Sequence, residues 1–340
     1  MFKTIQGVTL AALSMTEVAQ AAGDFVTYSN GNGADWVNQE TGDCYGPNQS
    51  PIDLSYNVPV VDASSDNFTK HYENIVPDPR KKAELATEVQ WSGDSSTLYV
   101  KYDSDSAWKS HNWYFKSSYA SDYLWGPKEF YGVQFHFHTG SEHTIDGQRF
   151  DMEMHTVHYP KAPENGIIAA ALGIIFDTEN YDKSVSNETI AVIDSFFDSL
   201  ELWNLEDHTV SEVLYGQLLD ALETDNRWVY KGSVTTPPCA TTVYWNVLNK
   251  VYPIKPEHFL LYKEHIWKRQ NAGADIDYYG NYRAIQEYNG HDLKMVVAQP
   301  PVEKEDVGST ALSIAILLVL FLVCTGVVFI VYSKNSEEIE

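Results

Sequence analysis

The chain has 340 residues, of which 44% are hydrophobic and 13% are aromatic. This composition supports a large core and excludes a wholly disordered, collagen-like or coiled-coil protein. The 23 basic and 47 acidic residues give a net charge of -24 at pH 7. Such a charge repels a phosphate backbone, so we expect no nucleic-acid partner.

The N-terminal residues 1–21 have the features of a signal peptide. Lys3 precedes an apolar stretch from Val8 to Met15, and Ala19-Gln20-Ala21 has the small-residue pattern of a cleavage site. Glu17 interrupts the pattern, and a plain disordered N-terminus is the alternative. The signal peptide predicts that the folded part, residues 22–302, lies outside the cytosol.

A second uncharged apolar segment lies near the C-terminus, at residues 311–332. Its length meets the ~20 residues that an α-helix needs to cross the hydrocarbon of a bilayer. We therefore predict one transmembrane helix here, preceded by a polar stalk at 303–310 and followed by a short cytoplasmic tail at 333–340. A buried core helix is the alternative, but such a helix normally carries a polar stripe.

The cysteines fit an exported protein. Cys324 lies inside the predicted span, so only Cys44 and Cys239 remain in the folded part. These two either form one bridge, as an oxidising compartment permits, or are unrelated buried thiols. Three sequons mark candidate glycosylation sites, at Asn48, Asn67 and Asn187.

The folded part reads as one large domain, mainly β with peripheral helices. Period-two, strand-like runs recur along it, at Thr97 to Tyr102, Gly132 to His138, Arg149 to His158, Ile167 to Phe176 and Thr242 to Val247. Helical spacing occurs at Glu188 to Leu200 and at Val210 to Leu222. No linker rich in proline, glycine or serine divides these elements.

Three histidines form the strongest candidate site. His136 and His138 are two residues apart on a predicted strand, so their imidazoles project from the same face. His155 lies on the next strand, after a connection that contains Gly140 and Gly147. Three neutral imidazoles without a fourth protein ligand are typical of a catalytic zinc site that keeps an open position.

Two polar residues share the faces of these histidines. Gln134 precedes His136 by two positions, and Glu153 precedes His155 by two. A metal-bound imidazole usually donates its second N–H to an oxygen that fixes its orientation. Gln134 is therefore a candidate partner of His136 and Glu153 of His155; a solvent-facing Glu153 is the alternative.

With these residues the chain resembles an alpha-class carbonic anhydrase. Five motifs carry the resemblance in one order: QSPIDL at 49–54, QFHFHTGSEHTIDG at 134–147, MEMHTVHY at 152–159, GSVTTPPC at 232–239 and NYRAIQ at 281–286. The resemblance implies a large, twisted, mostly antiparallel central sheet. It also implies reversible hydration of carbon dioxide to bicarbonate and a proton by zinc-bound hydroxide.

The same resemblance assigns expected roles to individual residues. His136, His138 and His155 correspond to the Zn²⁺ ligands, and the backbone carbonyl of Asn281 to the partner of the remaining ligand N–H. Cys44 and Cys239 correspond to a disulfide. Thr235 would accept the hydroxide's hydrogen bond and donate its own proton to Glu142, and Thr236 would line the polar side. The expected apolar substrate wall consists of Val157, Ala171, Val234 and Trp245.

The chain departs from the pattern in two places. We find no pocket-rim histidine for proton transfer near Asp94, so His71, His111 and a direct route to buffer all stay open. The stretch 103–131 is longer and richer in tryptophan than usual, with Trp108, Trp113 and Trp125. It either adds core and rim packing or contacts a partner subunit.

Other functions share part of this pattern. A carbonic-anhydrase-like ectodomain can act as a binding or adhesion module, although such modules arise by loss of zinc ligands and all three histidines are present here. A zinc esterase would use the same residues. The sequence does not decide between a protein partner, a homo-oligomer and a monomer.

Overall fold

The structure is a computed structural model. It describes residues 28, 31–34, 36, 44–66, 68–75, 88–91, 98–101, 113–122, 124–203, 208–269 and 280–298. The chain divides into two compact units, Met1–Ala298 and Gln299–Glu340. All described residues lie in the first unit.

The described strands of this unit form a 12-stranded sheet and a separate two-stranded sheet. The strands of the unit are β1 (Asp53–Leu54), β2 (Val60–Asp62), β3 (Thr69–Tyr72), β4 (Glu88–Trp91), β5 (Leu98–Lys101), β6 (Trp113–Lys116), β7 (Glu129–Thr139), β8 (Thr144–Ile145), β9 (Met152–Tyr159), β10 (Ala169–Asp177), β11 (His208–Thr209), β12 (Arg227–Gly232), β13 (Val243–Pro253) and β14 (Lys294–Val297). The main path runs β11-β4-β5-β7-β9-β10-β13-β12-β14-β2, and β3 joins through β6 to β7. Only β10 with β13 and β14 with β2 pair in parallel within this sheet of described strands. The predicted mainly β, mostly antiparallel sheet is confirmed.

Five helices flank the sheet among the described residues: α1 (Ala63–Asp66), α2 (Ser118–Asp122), α3 (Asn187–Ser199), α4 (Tyr215–Ala221) and α5 (Pro256–Arg269). The predicted helix at 188–200 is α3, which begins after Ser186, whose side chain accepts a hydrogen bond from the Thr189 N–H. The predicted helix at 210–222 was too long, because the segment before Leu214 forms a bridge from Val213 to Ile75.

The predicted strands are present with shifted ends. Their cores correspond to β5, β7, β9, β10 and β13. Residues 149–151 precede β9 rather than belong to it, and β13 extends to Pro253. The connection after β7 is longer than a simple hairpin, since β8 lies within it and pairs with β1.

The two faces of the sheet bury different side chains. One face of β7, β9 and β10 packs its alternate residues, such as Phe135, Met154 and Leu172, against α3 and α4 in the largest apolar cluster. The opposite face carries the three candidate histidines together with a second cluster that includes Ala171 and Trp245. Strand alternation therefore separates the main core from the candidate site.

Several predictions fall outside the described residues. These are the signal peptide (1–21), the stalk (303–310), the span (311–332), the tail (333–340), Asn67, Trp108 and His111. Within the described part, no helix has both the length and the apolar character that crossing a membrane requires.

His158 makes the fold sensitive to acid. Its imidazole is buried beside Phe115, and its Nε2 forms a 2.8 Å hydrogen bond with the Tyr72 hydroxyl. Burial lowers the pKa of His158 from 6.5 to about 3. Between pH 6.5 and about pH 3, only the unfolded chain binds a proton at this histidine. The free energy of unfolding therefore falls by about 1.4 kcal/mol for each unit by which the pH falls in this range.

We expect His158→Gln, which stays neutral at every pH, to flatten the decline of unfolding free energy below pH 6.5. Urea denaturation of the wild type and the variant between pH 7 and pH 4.5 measures the two slopes. His71→Gln is the matched control, because His71 is largely exposed. Equal slopes for the wild type and His158→Gln would contradict the assignment.

Candidate metal centre

The pairing of β7 with β9 brings the three histidines together. His136 lies opposite His155, and His138 opposite Glu153. One potential ligand nitrogen from each of His136, His138 and His155 lies within 4.8 Å of the others. His138 and His155 are buried, whereas His136 is partly exposed.

An oxygen acceptor orients each imidazole. His136 Nδ1 donates to Gln134 Oε1 (2.9 Å), His138 Nδ1 to the Asn281 carbonyl (2.7 Å) and His155 Nε2 to Glu153 Oε1 (2.8 Å). These contacts link the residue pairs that the sequence suggested. They leave His136 Nε2, His138 Nε2 and His155 Nδ1 as the converging nitrogens.

The donor set fits a zinc ion. His138 Nε2 is buried and has no hydrogen-bond partner among the described residues, which is costly for a polar atom unless something else binds it. Burial, followed by the neighbouring imidazoles, holds the pKa of His136 well below its usual value, and burial also lowers the pKa of His138. Both rings are therefore neutral near pH 7, as metal ligands must be.

A second group of potential ligands in the described residues, His143, Glu153 and His155, is a hydrogen-bond network instead. Glu153 Oε1 accepts from His143 Nδ1 (2.7 Å) and from His155, while Oε2 accepts the His143 backbone N–H (2.8 Å). Burial raises the pKa of the Glu153 carboxyl, but the two imidazoles outweigh it and the net pKa lies well below the usual value. Glu153 is thus buried and ionised, and the predicted alternative of a solvent-facing side chain was wrong.

The network continues away from the histidines. His143 Nε2 lies 2.7 Å from the Tyr230 hydroxyl, which contacts Ser50 Oγ at 3.0 Å. Ser50 Oγ also accepts the Ser233 N–H. A chain of buried hydrogen bonds therefore connects Glu153 with the loop that follows β12.

Glu142 lies next to the imidazoles of His138 and His155. Its Oε1 accepts the Arg283 N–H (2.8 Å) and lies 3.6 Å from His138 Nδ1, and its Oε2 lies 3.8 Å from His155 Nδ1. Glu142 Oε2 is buried and has no hydrogen-bond partner in the described part of the chain. The predicted bond from Thr235 is therefore not formed at this oxygen.

Thr235 and Thr236 lie on a loop that is held from several sides. The predicted disulfide is present between Cys44 and Cys239. Gln49 Nε2 donates to the Cys239 carbonyl (3.1 Å), and the Ser50 N–H donates to Ser233 Oγ (2.8 Å). Thr235 is buried, and Thr236 is partly exposed.

The four predicted wall residues lie near one another. Val157 of β9 pairs with Ala171 of β10, and Ala171 pairs with Trp245 of β13. Val157 follows His155 by two positions on β9, so this row of paired residues neighbours the row that contains His136 and His155 on the same face of the sheet. The Trp245 ring lies 4.8 Å from that of His155. Val234 packs partly buried against the cluster that contains Ala171 and Trp245. These side chains form an apolar surface beside the imidazoles.

Arg283 is an important residue that the sequence analysis did not single out, although it lies within the NYRAIQ motif. Its Nη1 donates to Gln49 Oε1 (2.8 Å) and to the Ser50 carbonyl (2.7 Å), and its Nη2 to the Cys44 carbonyl (3.0 Å). One buried side chain thus ties the disulfide-bearing segment to the backbone that contacts Glu142. Long-range contacts of this kind leave no periodic signal in a sequence.

The remaining predicted residues are not members of the histidine cluster. His71, on β3, lines a surface cavity of about 270 Å³ with Tyr114, Lys116, Glu129 and Tyr131. Within the tryptophan-rich stretch, Trp113 is buried in the core whereas Trp125 is 75% exposed. Asn187 is exposed at the start of α3 and Asn48 is partly exposed.

Comparison with known proteins identifies the family. The profile of the eukaryotic-type carbonic anhydrases matches residues 31–296, which is most of the chain. The chain belongs to this family. Its alpha-class resemblance, inferred from five motifs, is therefore confirmed.

Individual carbonic anhydrases are distant relatives. Alpha carbonic anhydrase 3 of Arabidopsis thaliana is 27% identical over 264 residues, covering 74% of this chain and 79% of the relative. Carbonic anhydrase 4 of Rattus norvegicus is 26% identical over 271 residues, covering 73% and 75%.

Solved structures share the fold. The fungal alpha carbonic anhydrase from Aspergillus oryzae has a TM-score of 0.53 at 22% identity, covering 76% of this chain and 90% of that one. Dioscorin, solved in complex with ascorbate, has a TM-score of 0.55 at 23% identity, covering 81% and 99%.

We expect Arg283→Met to lower the free energy of unfolding by about 3 kcal/mol or more, because three buried acceptors lose a charged donor while the aliphatic stem is kept. Urea denaturation measures the change. Lys231→Met is the control, since its bond to the Asn165 carbonyl is exposed and its loss should cost under about 1 kcal/mol. Equal losses in the two variants would contradict the role given to Arg283.

Proposed function

We propose that this carbonic anhydrase family member catalyses the reversible hydration of carbon dioxide to bicarbonate and a proton, with Zn²⁺ held by His136, His138 and His155. The convergence of three imidazoles, each oriented by its own oxygen acceptor, carries the proposal. Zinc in an open three-histidine site makes water nucleophilic near neutral pH, an effect for which carbonic anhydrase is the standard example.

Gln134, Glu153 and the Asn281 carbonyl would keep the ligand nitrogens aimed at one point. Each accepts the N–H on the far side of a ring, so each fixes the ring's tautomer as well as its direction. Glu153 adds a negative charge that partly offsets the cation. Loss of such acceptors typically costs 10-fold to 100-fold in metal affinity.

Glu142 and Thr235 would orient the reacting oxygen. The unpartnered Glu142 Oε2 is a buried acceptor for a hydroxyl proton, and Thr235 is the hydroxyl that we assign to it. A threonine that donates to a carboxylate can only accept a hydrogen bond from a third group, which fixes that group's lone pair toward the substrate. Thr236 would line the polar side of the same space.

The apolar wall would receive carbon dioxide. This substrate is small and has no charge, so side chains such as Val157, Val234 and Trp245 offer it a dry surface beside the imidazoles. Ala171 leaves more room between its strand neighbours than a larger side chain would.

We also propose that the domain works outside the cytosol, in an extracellular or luminal compartment, anchored by a helix at 311–332. The Cys44–Cys239 disulfide supports an oxidising compartment. The signal peptide, the anchor and use of the sequon at Asn187 stay predictions. Alkaline carbonate extraction of membranes tests the anchor. A shift in electrophoretic mobility after glycosidase treatment tests glycosylation, and with it the export that the signal peptide predicts.

We expect the purified full chain to bind one zinc per chain and to hydrate carbon dioxide in stopped-flow assays, and His136→Ala to lose both properties because two imidazoles hold zinc poorly. Zinc content is measured on the same samples. A folded, zinc-loaded wild type without hydration activity would exclude the enzyme and favour a carbonic-anhydrase-like binding module.

We expect Thr235→Val to lower kcat/KM for hydration about 100-fold, the cost of a misoriented reacting group, with little change in zinc content. Thr242→Val is the control, because the Thr242 hydroxyl has no hydrogen-bond partner in the part of the chain that the structure describes, so its loss should leave the rate unchanged. The orienting role would be wrong if both variants kept wild-type rates.

A further inference from the structure

Gly173 lies in the row of residues that crosses the sheet through the metal centre. His155 of β9 pairs on one side with His136 and on the other with Gly173 of β10, which pairs in turn with Val247 of β13. Among these positions Gly173 alone has no side chain.

The missing side chain leaves space for one particular atom. A Cβ built on Gly173 would lie 3.0 Å from Glu153 Oε1, and 3.2 Å and 3.4 Å from the two methyl groups of Val247. Glu153 Oε1 is the oxygen that accepts from both His143 Nδ1 and His155 Nε2. A methyl group at position 173 would therefore press on the acceptor of a proposed zinc ligand.

The Glu153 carboxylate has little freedom to retreat. Its Oε1 is held by two imidazole N–H groups and its Oε2 by the His143 backbone N–H. The side chain is buried, so no water can replace a broken bond. Any shift of Oε1 must lengthen at least one of these bonds.

The backbone at Gly173 does not itself require glycine. Gly173 is not in the left-handed region that favours glycine, and it lies inside a wholly buried strand. Glycine within a strand costs stability through chain entropy and lost packing. The space that it leaves for Glu153 Oε1 offsets that cost.

We propose that Gly173 is a positioning residue for the metal centre: by leaving room for Glu153 Oε1, it fixes the orientation of the His155 ring and thereby strengthens zinc binding. This inference rests on the metal site of the proposed function. It assigns to position 173 an effect on metal affinity that is separate from fold stability.

The test is zinc affinity of the full chain, stripped of metal and titrated against a chelator. We expect Gly173→Ala to weaken zinc binding about 10-fold, at the lower end of what loss of a hydrogen-bonded acceptor costs. We also expect a shifted visible spectrum of the Co²⁺-substituted protein, which reports ligand geometry. Gly216→Ala is the stability control, because its Cβ would lie 2.5 Å from the Tyr72 carbonyl oxygen, which is part of the backbone. It should destabilise the fold but keep wild-type zinc affinity and spectrum.

A double-mutant cycle tests whether the effect passes through Glu153. In a Glu153→Gln background, whose carboxamide already holds His155 less well, we expect Gly173→Ala to weaken zinc binding by less than about 2-fold, since coupled residues are not additive. An undiminished 10-fold loss in that background would overturn the proposal. So would wild-type zinc affinity in Gly173→Ala.

A second background keeps the test usable if Gly173→Ala folds poorly. Val247→Ala removes the second side chain that a Cβ at position 173 would contact. The Val247→Ala protein is then compared with the double variant Gly173→Ala/Val247→Ala, and we expect the same 10-fold loss of zinc affinity. Equal affinities of these two proteins would overturn the inference. The wild type is titrated first. Failure of the wild type to bind zinc would reject the proposed function itself, whereas tight wild-type binding with unaffected Gly173 variants would reject only the inference about Gly173.

Discussion

The register between β7 and β9 determines whether a metal centre can exist. Side chains alternate between the two faces of a strand, so a slip by one residue would turn His136 and His138 into the main core and Phe135 and Phe137 toward the site. Burial of the two phenylalanines against the helices opposes that slip. The apolar core on one face thus fixes the position of the polar cluster on the other.

A local irregularity adjusts this register near the start of β7. The pairing with β9 shifts between Gly132 and Gln134, and the shift places Gln134 opposite Val157 and in phase with His136. Gly132 permits close approach of Trp113, whose nearest ring atom would lie 2.2 Å from a Cβ at this position. A period-two pattern could predict the face of Gln134, His136 and His138. It could not predict the register shift between Gly132 and Gln134, because this shift breaks the period of two.

Local sequence patterns predicted part of the structure, whereas contacts between distant parts of the chain could not be predicted. Alternation and the His-x-His spacing were local signals, and they sufficed for β7, β9 and the ligand candidates. Strand β12 and helix α5 carried weaker patterns and were missed. Arg283 and Tyr230 were not singled out because their partners, Gln49 and Ser50, are over a hundred residues away in sequence. Only the folded chain shows that these residues converge on Glu142 and His143.

Charge explains why so many hydrogen bonds surround the histidines. Two buried carboxylates, Glu142 and Glu153, lie next to the imidazole cluster without a lysine or arginine side chain bonded to either in the described contacts. An isolated buried carboxylate is costly unless cations or N–H donors compensate it. Among the described residues, Glu153 has three donors, but Glu142 has one backbone N–H donor and one oxygen without a hydrogen-bond partner. A divalent cation at the converging nitrogens would supply the missing positive charge, so the carboxylates and the metal would each stabilise the other's burial.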